Sequence, residues 1–440
     1  MKRLKKMKTI ILVVTMAALM VTGCSKKKST VSVTKFDVQD IDFKTNQEIT
    51  KDNITLTVWE SNEGPDEFIR EAGKYFTQLY PNIEIRYINV ESVDSAGKIG
   101  LDGPGGNGPD IFASAHDTIG RMVKGAHIEP IPDSEKDIIA ASCNEGALKG
   151  ATLNNEDGSE VLYGYPVSIE TYALFYNKNL IKEDEVPKTM EELLDYMEKF
   201  NKEHVKDEMQ PFLFDPGRAY YSVIFTSTPT NHLYGENGND ITNTYMNTPE
   251  AVSQMEDFVA LSKMINQKSG DLEYKHNDAL FGSGQLAMNI SGAWNIRTYE
   301  ENGIDFGITS IPALTGTENP PASFMGVRCM FVSAYSKHKP EAIAFSEFLM
   351  TKEMQQLRCE YTSAMPARDD VLENVKNEKT KEYLNGLNKQ LAFSYPMPSM
   401  ARASLFWTPF DSAFSNIWNG ISTDVQKELD AANSTAVKKN

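Results

Sequence analysis

Residues 54–87 carry a pattern that few folds accommodate. Ile54-Thr55-Leu56-Thr57-Val58-Trp59 alternates and is rich in β-branched side chains, which reads as a strand. After Gly64-Pro65-Asp66, apolar residues recur at Phe68, Ala72, Phe76 and Leu79, one face of a helix that Pro65 opens and Pro81 ends. Ile83, Ile85 and Tyr87 then give a second strand. Strand, helix and strand at this spacing form a βαβ unit, which requires a parallel pair and a right-handed crossover.

The alternation continues. A short strand at 111–114 follows the glycine-rich turn 103–108, which lacks the Gly-Lys-Ser/Thr of a phosphate-binding loop. Further strands are predicted at 172–176, 286–291, 306–311 and 330–335. Thr189 and Glu192 make a capping box ahead of Leu193, Leu194, Met197 and Phe200. Thr248-Pro249 opens a long helix through Val252, Met255, Phe258 and Val259; another runs from Pro340 through Phe345, Phe348 and Leu349, and the tail beyond Pro398 is mostly helical. No repeat of 20–50 residues is visible. The fold class is α/β, with more elements than one sheet holds, and 440 residues leave room for two or three cores.

The first eight residues are basic, and residues 9–21 are an apolar run. Thirteen residues reach only about 20 Å, against a hydrocarbon core of about 30 Å, so residues 1–23 read as a signal peptide and not a membrane span. Residues 24–52 are polar and without periodicity, which predicts a flexible tether. The chain carries 61 acidic against 44 basic residues, a formal charge of −17, with no basic patch to offset it; nucleic acid is excluded as a partner. Cys143, Cys329 and Cys359 stand singly, without metal-like spacing, and read as buried inert thiols, although a Cys329–Cys359 disulfide stays open. The six histidines are dispersed, so neither a metal nor a cofactor is expected.

Val21-Thr22-Gly23-Cys24 resembles the lipobox of bacterial lipoproteins, which implies cleavage before Cys24 and lipid attachment to it. That places the protein on the extracytoplasmic face of the cell membrane, and the long tether favours a Gram-positive-type envelope. Beyond it, LTVWESNEGP (56–65), GPDIFASAHDTIG (108–120), YGYPVSIETYALFYNKNLI (163–181), VPKTMEELL (186–194), LFGSGQLAMNISGAWNI (280–296), FGITSIPALTG (306–316) and the Met397-to-Trp407 stretch follow one another in order. Together they resemble the extracellular solute-binding proteins of ABC importers, in the maltose/maltodextrin-binding branch, over roughly residues 54–430.

The resemblance implies a two-lobed periplasmic-binding-protein-like fold with the ligand cleft between the lobes. The N-lobe would take 53–167 and 313–370, the C-lobe 168–312 and 371–440, with hinges near 167–168 and 311–312. It implies a monomer that captures malto-oligosaccharide by lobe closure and hands it to the transmembrane subunits of an ABC permease. It also implies that Trp294 and Trp407 stack on sugar rings, and that Glu170, Asp117 and Glu63 accept sugar hydroxyls. Tyr220 and Tyr221 each offer a flat face and one hydroxyl, so at least one should line the cleft; Arg218 either clamps the ligand or pairs with Asp215. Trp59 and Trp418 read as packing. Aromatic faces and carboxylates are what a sugar, apolar on its C–H faces and polar on its rim, requires.

Two departures bear on specificity. Enterobacterial maltose binders carry Trp at the position of Ser114 and commonly Arg at Thr118, so one stacking surface and one charged donor are missing here; Ala293 replaces a Pro, a smaller change. A xylo- or galacto-oligosaccharide on the same fold is therefore an alternative. An exported glycoside hydrolase is a weaker one, because no paired-carboxylate, Gly-x-Ser-x-Gly or His-Glu-x-x-His pattern supplies catalytic residues.

Overall fold

The structure, a computed structural model, describes residues 33–438 apart from 156, 157 and 205–208. The expected leader and Cys24 lie outside the described residues. The strands are β1 (Ile54–Glu60), β2 (Ile83–Asn89), β3 (Ile111–Ala115), β4 (Thr152–Asn154), β5 (Glu160–Leu162), β6 (Tyr165–Glu170), β7 (Tyr172–Asn177), β8 (Gln210–Leu213), β9 (Leu286–Gly292), β10 (Phe306–Thr309), β11 (Phe324–Val332) and β12 (Tyr395–Pro396). One sheet has the order β12-β11-β3-β1-β2, with β6 also paired to β11; a second has the order β10-β7-β9-β8; β4 and β5 form a small hairpin.

The βαβ expectation holds: β1 and β2 pair in parallel from Ile54↔Ile83 to Glu60↔Asn89. The helix Pro65–Leu79 between them buries Phe68, Ile69, Ala72 and Phe76. The strand expected at 330–335 instead spans Phe324–Val332. It pairs antiparallel with both β3 and β6, and its residues are buried almost throughout. A strand covered on both faces shows no alternation, so periodicity cannot mark where it starts.

The chain passes from the first sheet to the second at Thr171, not at 167–168. β6 runs through those residues and stays paired to β11 as far as Gly326↔Glu170. It returns between β10 and β11, and leaves again before the helix Glu378–Leu391, where Tyr383 stacks on Phe306 of β10 at 4.5 Å. It then touches the first sheet once more as β12. Three of these connecting segments meet in a buried hydroxyl cluster. Thr171 Oγ1 lies 3.0 Å from Ser323 Oγ and 3.2 Å from Ser394 Oγ, and the two serines are 2.7 Å apart. The Gln390 amide donates to Ser323 Oγ and to the Pro321 carbonyl, both at 3.0 Å, and accepts from Ile311 N at 2.9 Å.

Residues 33–50 correct the tether expectation, because they pack along the first sheet's helices. Thr34 donates through N and Oγ1 to the Glu360 carboxylate, at 2.6 and 2.7 Å, and Thr50 N donates to Glu341 at 2.8 Å. The Phe43 ring meets Phe348 at 5.4 Å and Phe76 at 6.2 Å, and Ile41 is buried. These few apolar residues have no local period; what orders them is the groove between helices that are distant in sequence. Asn46 N donates to Glu135 at 3.3 Å, and Glu347 is buried alongside. Burial, together with the adjacent charge of Glu135, pushes the Glu347 carboxyl up to about 8. Among the described residues no helix is long and apolar enough to cross a membrane.

A carboxyl raised in the folded state favours folding while it is protonated in both states, and that contribution is lost as pH rises from its unfolded value through about 8. Glu347→Gln should therefore raise the unfolding free energy by about 1–3 kcal/mol at pH 8 and leave it unchanged below pH ~4. Urea unfolding at the two pH values checks this.

Candidate functional site

β3 ends at Ala115 and the chain turns through a short 3-10 segment, His116–Thr118, into the helix Ile119–Lys124. His116 has no exposed surface. Its Nδ1 accepts from Val327 N at 3.0 Å, which leaves Nε2–H to donate to the Met397 carbonyl at 2.9 Å. The ring is thus held neutral, and burial keeps its pKa below the usual range. This bracket fixes the turn on which Asp117 sits. Enclosure raises the Asp117 carboxyl pKa, offset in part by His116 and Arg121. Gly120 lets the segment 399–401 approach: its N donates to Ser399 O at 2.9 Å, and a Cβ there would lie 2.3 Å from Ala401 N.

A cavity of about 180 Å³ opens against this turn, lined by Asp117, Thr118, Arg121, Leu233, Pro398 and Trp407 among others. Trp407 starts the helix Trp407–Trp418, and its ring packs against Phe324 at 5.9 Å. Phe324 in turn lies 6.1 Å from the Tyr220 ring. Burial and the charges of Glu170 and Asp117 push the Tyr220 hydroxyl above its usual range. A second cavity of about 210 Å³, which includes Lys149 and His232, shares Leu233 and Pro398 with the first.

Glu170 ends β6 with its carboxylate partly exposed, 3.5 Å from Arg328. Arg328 also meets Glu60 at 3.1 Å, and Glu60, wholly buried, meets Arg358 at 3.2 Å. Arg358 Nε donates to Ser168 Oγ at 3.3 Å. Two carboxylates and two guanidinium groups thus balance in charge, and they fix Glu170 from behind.

Trp294 lies in the 3-10 turn Ala293–Asn295 after β9 and is 41% exposed, unusual for the largest apolar side chain. Gly292 permits its pose, because a Cβ on that residue would lie 2.2 Å from the indole ring. Behind the turn, the half-buried Asp278 accepts from Asn289, Ser291 and Tyr299 at 2.8–3.0 Å.

Of the residues read from sequence, Asp117 and Trp407 share a cavity; Tyr220 meets Trp407 only through Phe324, and Glu170 lines neither cavity. Tyr221 does not face this space: it is 5% exposed and packs on Tyr172 and Tyr274. Neighbouring residues on the short helix Ala219–Ser222 point about 100° apart, so the pair cannot serve one surface. Glu63 is exposed in the β1-to-helix turn, with φ +60, and lines neither cavity. Arg218 pairs with Asp215 at 3.7 Å. Trp59 and Trp418 are buried. Cys143, Cys329 and Cys359 are unpaired, and burial pushes the Cys143 and Cys359 thiols up to about 12. Among the described residues no His, Cys, Asp and Glu side chains gather as a metal site. Sequence reasoning missed Glu60, Arg328, Arg358 and His116. Only Arg328 left a trace, as a charge inside the apolar run Phe324–Val332.

This architecture, two α/β lobes with acidic and aromatic side chains around the space between their sheets, defines a solute receptor. The family model for bacterial extracellular solute-binding proteins matches residues 71–385, and the chain belongs to that family, one of binders and not of catalysts. The galactooligosaccharide-binding protein of Bacillus subtilis is 28% identical over 87% of this chain and 88% of its own length. A maltooligosaccharide ABC transporter solute-binding lipoprotein of Streptococcus pneumoniae is 22% identical over 87% of both. The solved structure of a cyclo/maltodextrin-binding protein complexed with maltotetraose superposes with a TM-score of 0.74 at 28% identity, over 87% of this chain and 96% of that one.

Glu60→Gln should lower the unfolding free energy by about 3–5 kcal/mol, because it strips the shared counter-charge from two buried guanidinium groups. Denaturant titration reads this directly; a loss below about 1 kcal/mol would show that Glu60 does not organise the cluster.

Proposed function

We propose that the protein captures a malto-oligosaccharide in this cleft and delivers it to the membrane subunits of an ABC permease. The observation that carries the reading is the cavity that Asp117 and Trp407 share, a carboxylate and an indole lining one space. Trp407 and the exposed Trp294 present flat faces to the C–H surfaces of successive sugar rings, while Asp117 and Glu170 accept hydroxyl protons and the Tyr220 phenol adds one more polar contact. The first lobe comprises residues 33–170 and 324–370 and the second comprises 172–309 and the chain beyond 371, an adjustment of the boundaries expected from sequence. Sugar bound to one lobe gains contacts from the other on closure, and that differential affinity shifts the population to a closed form the permease distinguishes. The Val21-Thr22-Gly23-Cys24 segment supports a lipid anchor on the extracytoplasmic face of the cell membrane, and the pneumococcal relative is itself named a lipoprotein.

A galacto-oligosaccharide is the second reading. The Bacillus subtilis relative favours it, as does Ser114, fully buried where a stacking indole would otherwise stand. Titration calorimetry with maltotriose and maltotetraose against galactobiose and galactotriose decides between them. Tight binding to the malto series alone is expected; binding to neither series overturns the oligosaccharide reading. Trp294→Ala should weaken binding by roughly 1–3 kcal/mol with an unchanged melting temperature. Gly292→Ala should weaken it in the same direction, because the added methyl displaces the ring that Trp294 presents.

A further inference from the structure

The turn that carries Trp294 runs directly into the helix Ile296–Glu301. Tyr299 anchors that helix to the second sheet, with its ring against Phe175 of β7 and Phe306 of β10. Arg297 and Glu301 lie one turn apart on its outer side, and Arg297 Nε donates to Glu301 at 3.2 Å. A second nitrogen of the same guanidinium, Nη1, lies 3.5 Å from Glu67. Glu67 belongs to the first turn of the helix Pro65–Leu79, which links β1 to β2 in the first sheet. Every other ion pair among the described residues lies within one lobe; this one spans the two. The Arg297 and Glu67 side chains keep 25% and 32% of their surface exposed, so solvent and salt reach the pair. Neither residue lines either cavity.

We infer that Glu67 and Arg297 form a closure latch, an ion pair made when the lobes come together and broken when they part, which sets the closed fraction and through it the affinity for sugar. The inference rests on the lobe-closure reading above. Glu301 serves Arg297 whatever the position of the lobes, because both stand on one helix; only the bond to Glu67 needs the lobes together. Opening therefore strands no unpaired guanidinium, and closing adds a contact that the open form lacks. A contact present in one of two states shifts the population toward that state by its own free energy. A guanidinium suits the task because its separate nitrogens serve two carboxylates at once. Since neither side chain reaches the cavities, the pair acts on affinity through closure and not by touching the ligand. It also restrains the turn that presents the Trp294 indole.

Calorimetry on the full mature chain with maltotetraose and galactotriose tests this. Glu67→Gln and Arg297→Gln should each weaken binding roughly two- to fivefold at low salt, the range of a partly exposed ion pair, with an unchanged melting temperature of the sugar-free protein. The double variant should bind no more weakly than either single one, because one bond is lost in all three. In about 1 M salt the variants and the wild type should converge, an outcome that a purely structural role for either residue would not give. Glu67→Lys should weaken binding further than Glu67→Gln, since two cations then meet on closure. Glu301→Gln should bind at least as tightly as the wild type, because it leaves the bond to Glu67 in place. Wild-type affinity in Glu67→Gln and Arg297→Gln, or a loss that persists in high salt, overturns the latch and leaves the oligosaccharide reading standing. A wild-type chain that binds neither sugar overturns that reading and the latch with it.

Discussion

Glu60 is a carboxylate with no surface at the end of a buried strand, and its charge persists there only because two guanidinium groups meet it. Removing such a charge from water costs several kcal/mol, which only close partners and further hydrogen bonds repay. The partners come from β11 and from the helix Lys352–Thr362, so the requirement for charge balance locks three separate stretches of the first lobe into one arrangement. Arg328 has a second nitrogen to spare, and it lies toward Glu170. A constraint set in the interior thereby fixes a side chain at the cleft.

The hydroxyl cluster of Thr171, Ser323 and Ser394 plays the corresponding part between the lobes. Hydroxyl groups can each donate and accept, and they reorient at little cost, so such a junction holds strands together without prescribing one angle between them. Gln390 ties the junction to the second lobe's helix. Charges fix the first lobe, and neutral hydroxyls join it to the second.

What was legible in the sequence was local. The β1–β2 unit, the Thr189 cap and the helix opened by Pro249 each depend on neighbours within a few residues, and each stands as read. Trp294 and Trp407 were singled out by the family resemblance and by their setting amid small or turn-forming residues; Trp294 is exposed, whereas Trp407 packs on Phe324 while lining a cavity. The misreadings share a different cause. Phe36, Ile41 and Phe43 are ordered by helices that arrive later in the chain, so their segment looked like a tether. Tyr221 looked like Tyr220 because sequence does not record which way a short helix is rotated. The Glu60 cluster draws on positions 60, 328 and 358, and no local pattern announces that they meet.

The position of β11 has a bearing on how the polypeptide acquires its shape. It is a central strand of the first sheet, yet Arg328 pairs with Ala115, more than two hundred residues earlier. Until that late strand is available, β3 has an unpaired edge and Glu60 lacks both counter-ions. Such non-local topology slows folding, because the loop must close before any contact rewards it. That delay postpones completion of the first sheet, and the neutralising of its buried carboxylate, until more than three quarters of the polypeptide is in hand.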